Sequence, residues 1–86
     1  MDTTFEQFRD AAADALDDIT GSGRALVMEK GRDFNFSFHA DVDSLDMLDI
    51  MFLMRRRLKV SIGPEFEGNT LGDLYVETLR RNNAAA

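Results

Sequence analysis

The sequence contains no cysteine, which excludes disulfides, a zinc-thiolate site and a cysteine nucleophile. Helix packing must therefore stabilise the fold without a disulfide or a zinc-thiolate site. No run of eighteen apolar residues occurs, and the first residues lack the basic and apolar regions of a signal peptide. These absences lead us to expect a cytoplasmic protein with no membrane span.

Basic residues are fewer than acidic ones. Ten Lys and Arg stand against 16 Asp and Glu, which gives a formal net charge of -6. This balance argues against nucleic acid as a partner, because phosphates require a basic surface. An acidic surface favours basic patches on partner proteins, although solubility alone would also account for it. The length of 86 residues predicts a single domain over 1–86.

The stretch after Asp43-Ser44-Leu45 is the clearest helix of the chain. It contains no Gly or Pro before Gly63, which favours a helix. With about 100° per residue, its apolar side chains cover one broad face and its charges gather opposite. A face this wide predicts the central helix of a bundle. The face comprises Met47, Leu48, Ile50, Met51, Met54 and Leu58, whereas Phe52 flanks the polar side and Leu53 falls within it.

An amphipathic helix precedes this central one. Apolar residues recur at helical spacing from Phe5 to Ile19. Thr3 with Glu6, or Thr4 with Gln7, fits a capping box at its start. The pair of glycines in Gly21-Ser22-Gly23 predicts its end.

Two helical pieces follow the central helix. Pro64 suits the first turn of a short helix that Gly68 ends. Thr70 predicts the cap of a last helix, with Asp73 three residues on. The final residues, 82–86, are predicted to be a disordered tail. The inner face of the last helix comprises Leu71, Leu74, Tyr75, Thr78 and Leu79.

Residues 24–42 give the weakest local pattern. Ala25 to Glu29 could be one helical turn or extended chain, and Gly31 then interrupts it. Phe34-Asn35-Phe36-Ser37-Phe38 alternates like a half-buried strand, but a lone strand has no partner in so short a chain. We therefore predict a long extended loop whose phenylalanines are pinned into the bundle.

Three motifs together resemble the acyl carrier protein family. They are Asp43-Ser44-Leu45 at the start of an amphipathic helix, Ile62-Gly63-Pro64 after it, and Thr70-Leu71-Gly72-Asp73-Leu74 before the last helix. The resemblance covers nearly the whole chain. It implies an all-α four-helix bundle of acyl-carrier type, with three main helices, one short helix and a long first loop.

The resemblance also implies a function. In that family a serine at the position of Ser44 carries 4'-phosphopantetheine, which a phosphopantetheinyl transferase supplies from coenzyme A. The arm holds acyl groups as thioesters and presents them to acyl-transferring and condensing enzymes. The chain would then be a monomer with no catalytic residue and no metal. Its Met-rich core suggests that the bundle could part to shelter an acyl chain.

Two departures from the family pattern stand out. Ala40-Asp41-Val42 occupies positions where the family usually has Leu-Gly plus one residue, which leaves the approach to Ser44 undetermined. Arg55-Arg56-Arg57 stands where fatty-acid members are typically acidic. These arginines suit the negative end of a helix dipole, and they also suggest a changed choice of partner, as in a specialised or secondary-metabolic carrier.

Ser44 has a second interpretation as a helix cap, since serine is common at that position. A catalytic serine is not indicated, because the only histidine, His39, lies in the preceding loop and is predicted to be solvated. Asp43 is itself a candidate cap, with Asp46 three residues later. The segment starting at Asp41 fails as a calcium loop, because its sixth position is not Gly.

The predicted partner contacts lie around Ser44 and along the central helix. They are Asp43, Leu45, Asp46, Asp49, Phe52, Leu53 and Arg56. Two alternatives stay open at this point: a peptidyl or aminoacyl carrier with the same arm, and an unmodified helical interaction module in which Ser44 is only a cap.

Overall fold

The computed structural model describes residues 2–62 and 70–84. This part of the chain is mostly helical, and its only extended pairing is an antiparallel bridge between Asn35 and Thr70. The elements in chain order are α1 (Phe5–Thr20), α2 (Arg24–Lys30), a 3-10 turn (Gly31–Asp33), α3 (Phe36–Ala40), α4 (Ser44–Leu58) and α5 (Leu71–Ala84). The predicted all-α class is confirmed.

The helix α1 is the platform on which the others pack, chiefly α4 and α2. Of the two predicted caps, Thr4 is the one used: its hydroxyl accepts from the Gln7 N–H, and the Gln7 side chain accepts from the Thr4 N–H. Gly21 ends the helix with a φ of 82°. The buried side of α1 consists of Phe8, Ala11, Ala12, Ala13, Ala15 and Leu16.

The helix α4 turns Ile50, Met51 and Met54 into the core, as predicted. The apolar face is rotated from the predicted one, however. Leu48 is 47% exposed, whereas Leu53 packs partly against the core. The rotation agrees with the packing of α1, the main neighbour of α4, which places Leu53 beside Ala11 and Ala15 in the groove between the two helices.

Of the two alternatives left open for Ala25 to Glu29, the helical one is found, as α2, but the predicted long extended loop over residues 24–42 is wrong. The segment instead folds into α2, the 3-10 turn and α3. Phe34 and Phe36 are buried as predicted, but Phe38 is 82% exposed. The reason is helical geometry: residues two apart on a helix point about 200° from one another, so α3 cannot bury both Phe36 and Phe38.

The last helix, α5, begins at the predicted cap, where the Thr70 hydroxyl accepts from the Asp73 N–H at 3.2 Å. The helix continues through Asn82 to Ala84, so residues 82–84 are helical where a tail was predicted. The Asn82 side chain bonds the backbone N–H and C=O of Ser61 at 3.0 and 2.9 Å. On α5, the predicted inner residues Leu71, Leu74, Tyr75 and Thr78 are buried.

The short helix predicted from Pro64 to Gly68 lies outside the described residues.

Within the described residues, no helix has both the length and the apolar character needed to cross a bilayer.

Candidate functional site

Ser44 is the first residue of α4, and its side chain is exposed. The N-cap is Asp43, whose carboxylate accepts from the Asp46 N–H at 2.8 Å. The cap interaction that would explain a serine at this position is therefore made by its neighbour. Ser44 presents its hydroxyl to solvent at the positive end of a helix of 15 residues.

The surroundings of Ser44 suit an attached phosphodiester in one respect and oppose it in another. The first backbone N–H groups of α4 have no acceptor within the helix and point toward the N-terminal end, where an anion is favoured. The carboxylates of Asp41 and Asp43 add negative charge nearby, but both residues are exposed and solvent screens them. Asp46, one turn into the helix, is partly buried.

The backbone leading to Ser44 is fixed by Asp41 and Val42. Asp41 ends α3 in the left-handed conformation, with a φ of 55°, which Asp tolerates better than most residues. Val42 is then buried, and its N–H donates to the Phe36 carbonyl at 3.2 Å. Asp41, which departs from the sequence pattern of the acyl carrier family, thus forms a turn that anchors the chain just before Ser44.

His39 is not the solvated loop residue that the sequence indicated. Its Nδ1 accepts from the Asn35 N–H at 2.8 Å, and its ring stacks on Phe34 at 5.7 Å between centroids. The exposed Phe38 ring meets it edge-on at 5.0 Å. These contacts tie His39 to the start of α3, and its Nδ1 is occupied by the Asn35 N–H.

The outward side of α4 carries an exposed apolar stripe beginning beside Ser44. Leu45 is 71%, Leu48 47% and Phe52 48% exposed. The Arg55 and Arg56 guanidinium carbons lie 5.7 and 5.8 Å from the Phe52 ring centroid. We call Leu45, Leu48, Asp49, Phe52, Arg55 and Arg56 the outer face of α4. Leu48 was missed by the helical wheel, although its spacing from Leu45 and Phe52 places the three on one side.

The three arginines at the end of α4 have different environments. Arg57 turns back toward α1 and pairs with Asp14, which also pairs with Arg24. Leu53 lies on that same side, in the groove between α1 and α4. Arg56 lines the same groove and also lies near Phe52, whereas Arg55 lies beside Leu48 and Met51. Of the predicted partner contacts, Leu53 and Arg56 therefore border the groove with α1, and the others lie on the exposed side or at the N-terminal end of α4.

A shallow cleft opens along α4 on the side of Ser44. It is lined by Leu48, Met51, Phe52, Arg55 and Ile62, and its volume is about 80 Å³. Leu48 and Met51 stand one and two turns beyond Ser44 on nearly the same line of the helix. Four of the lining side chains are apolar, and the fifth is the cation Arg55.

Acidic residues do not assemble into a metal site in the described part of the chain. Within residues 2–62 and 70–84, no three His, Asp or Glu side chains converge as a metal ion would require.

Comparison of the chain with protein-family models, with curated proteins and with solved structures gave no match. The site is therefore interpreted from its own residues.

Proposed function

We propose that the protein is an acyl carrier whose Ser44 bears 4'-phosphopantetheine and whose arm holds acyl groups as thioesters. The observation that carries the proposal is the position of Ser44 outside its own helix cap. Asp43 makes the cap, so the exposed serine has no structural task of its own at the start of α4. An exposed hydroxyl fixed at a helix N-terminus is a suitable acceptor for a phosphoryl group.

The order of elements supports the same proposal. A long first helix, a serine at the start of a central helix and a capped last helix follow one another as in the acyl carrier family. Asp41 stands at the position where that family usually has glycine. Its φ of 55° is a conformation that glycine adopts readily, so the departure in sequence keeps the backbone turn that glycine would provide.

The chain supplies position and recognition, and no catalytic base is proposed for it. In the transfer, the Ser44 oxygen attacks the β-phosphorus of coenzyme A, the pyrophosphate bond breaks and adenosine 3',5'-bisphosphate leaves. The proton of the hydroxyl goes to a base of the transferase, since His39 Nδ1 is held by Asn35. Asp46 and Asp49 lie on the first turns of α4, where a basic surface of the transferase could meet them.

The cleft beside Leu48 and Met51 suits the apolar end of a loaded arm. An arm attached at Ser44 and laid along α4 passes this cleft before it reaches Arg55. At about 80 Å³ the cleft is small, so we expect a short acyl group to contact it and a long one to require the bundle to part. Met51 lines the cleft, Met54 is buried in the core, and both side chains are adaptable in shape.

The test is intact-mass measurement after incubation with coenzyme A, Mg²⁺ and a broad-specificity phosphopantetheinyl transferase. We expect one phosphopantetheine on the parent chain and none on Ser44→Ala. Ser22→Ala is the matched control, since Ser22 is an exposed serine in another turn and its variant should be modified fully. A known carrier treated in parallel shows that the transferase is active; an unmodified parent beside a modified carrier would contradict the proposal.

One observation favours a second function. The outer face of α4 exposes Leu45, Leu48 and Phe52 in the unmodified chain. An exposed apolar stripe of this kind is typical of a protein-binding surface. An unmodified interaction module is therefore the candidate that remains if the mass experiment gives no addition.

A further inference from the structure

Four residues of α4 stand on one line that begins at the exposed serine. They are Ser44, Leu48, Met51 and Arg55, which follow one another at steps of four, three and four residues. Residues spaced in this way share one side of a helix, because each turn takes about 3.6 residues. The line therefore leads from a hydroxyl across two apolar side chains to a cation. It contains no acidic residue, although the chain carries a net charge of -6.

The cleft of about 80 Å³ lies on this line, and Arg55 is its only charged lining residue. Within residues 2–62 and 70–84, no ion pair joins Arg55 to another side chain. Its guanidinium carbon lies 5.7 Å from the centroid of the Phe52 ring. A guanidinium held beside a ring keeps its N–H donors for an anion, and its planar fork matches a carboxylate. The cleft thus offers an apolar floor and an anion-binding group.

The length of the line matches that of a phosphopantetheine arm. Ser44 and Arg55 are 11 positions apart, which is about 16 Å along the helix axis. The arm has about thirteen bonds between its phosphorus and its sulfur, and these span a similar distance when extended. A slightly bent arm therefore places its thioester over the cleft and the far end of a short acyl group beside Arg55.

We propose, on the basis of the proposed function, that the arm carries a short acyl group with a carboxylate at its far end and that Arg55 selects this cargo. The methylenes of the acyl group lie over Leu48 and Met51, and the Arg55 guanidinium donates two hydrogen bonds to the carboxylate. A volume of about 80 Å³ holds about three groups the size of a water molecule. Two or three methylenes therefore separate the thioester from the carboxylate.

The contact is modest in strength and depends on attachment. Arg55 is exposed, and an exposed ion pair stabilises a protein only slightly. Attachment at Ser44 makes the pairing intramolecular, which gives the carboxylate an effective concentration of about a millimolar or more near Arg55. A neutral chain of the same length would end beside the cation and gain nothing from it. The selectivity thus lies in the last atoms of the cargo.

The test compares two acyl groups of equal shape on the same chain. One is succinyl; in the other, an isopropyl group replaces the carboxylate, so the number and branching of the non-hydrogen atoms are unchanged. A broad-specificity transferase attaches each to Ser44 from a coenzyme A analogue in which nitrogen replaces the thioester sulfur, so that the acyl group does not hydrolyse. Intact mass measures the loading, and thermal denaturation followed by circular dichroism gives the Tm of each loaded form.

The variants are Arg55→Gln and Arg56→Gln. Both remove one exposed positive charge from the end of α4, but Arg56 borders the groove with α1 and lies off the line of Ser44. Relative to the neutral form, the succinyl form should have a Tm about 2–4 °C higher in the parent than in Arg55→Gln. Arg56→Gln should behave like the parent. Comparing differences in this way removes the effect of each substitution on the unloaded fold.

The outcomes distinguish this inference from the proposed function. A loaded parent whose Tm difference equals that of loaded Arg55→Gln overturns the role of Arg55 and leaves the carrier proposal intact. The same holds if Arg56→Gln loses the difference as fully as Arg55→Gln does, because the effect would then be one of net charge. A parent that gains no arm beside a modified control carrier contradicts the proposed function and this inference together.

Discussion

The helix α4 and the segment from Arg24 to Ala40 are both helical, but different interactions hold them. Along α4, Ile50, Met51 and Met54 are buried against α1 and the rest of the core. The segment from Arg24 to Ala40 consists of pieces of seven, three and five residues, too short to persist as isolated helices.

The short pieces depend on particular backbone positions and on a few buried anchors. Gly23 opens α2 with a φ of 118°, and the Asn35 side chain caps α3 by accepting from the Phe38 N–H at 2.9 Å. Phe34 is fully buried, and its carbonyl accepts from the Leu71 N–H at 2.8 Å. Thus α4 is stabilised by burial distributed along one helix face, whereas the segment from Arg24 to Ala40 depends on a few individual residues.

The largest effect should come from the buried face of α4. Ile50→Ala removes a fully buried side chain and leaves a cavity, and we expect a loss of about 4 kcal/mol in the free energy of unfolding. Leu48→Ala is the control on the same helix. Because Leu48 is about half exposed, its loss should stay below about 1 kcal/mol. Urea denaturation followed by circular dichroism measures both, and equal losses would contradict the assigned rotation of α4.

The segment should be most sensitive at Gly23. A Cβ there would overlap the Leu16 side chain, whose Cγ would lie 2.9 Å away, and the φ of 118° is unfavourable for alanine. We expect Gly23→Ala to cost about 3 kcal/mol, from overpacking and backbone strain together. In Gly21→Ala, by contrast, the added Cβ meets nothing within 4 Å, so only the cost of the left-handed conformation, about 1 kcal/mol, should remain. Thermal denaturation of the pair distinguishes the two contributions; similar losses would show that Leu16 does not restrict this turn.

The same contrast explains which parts of the fold could be predicted from the sequence. α1, α4 and α5 carry a repeat of 3.6 residues over several turns, and the caps at Thr4 and Thr70 are signalled by residues only three positions away. Local sequence contains that information. The segment from Arg24 to Ala40 has no piece long enough to show a repeat, and it is fixed by distant contacts such as Arg32 against the Phe5 ring, 4.4 Å from its centroid.

The candidate site was predictable to a similar degree. The motif around Ser44 gave the start of α4 and named Asp43 as a possible cap, which the structure uses. The exposure of Leu48 was not predictable, because a broad apolar face does not reveal which of its edges a neighbouring helix covers. The contacts of His39 were missed for another reason: they require α3, whose five residues have no periodic signal.

The smallest expected effect is the difference in stability between variants of Asp43 and Ser44, which lie at the start of α4. Asp43→Ala removes the carboxylate that accepts from the Asp46 N–H, and we expect it to cost about 1 kcal/mol. Ser44→Ala should change stability by less than about 0.5 kcal/mol, because alanine favours helices and the serine does not make the cap. Urea denaturation of the two variants gives the comparison. The reverse order would assign the cap to Ser44 and remove the main support for the proposal that Ser44 is an acceptor. The expected order also makes Ser44→Ala a folded control in the mass experiment, so that its failure to gain phosphopantetheine reports the missing hydroxyl and not a lost helix.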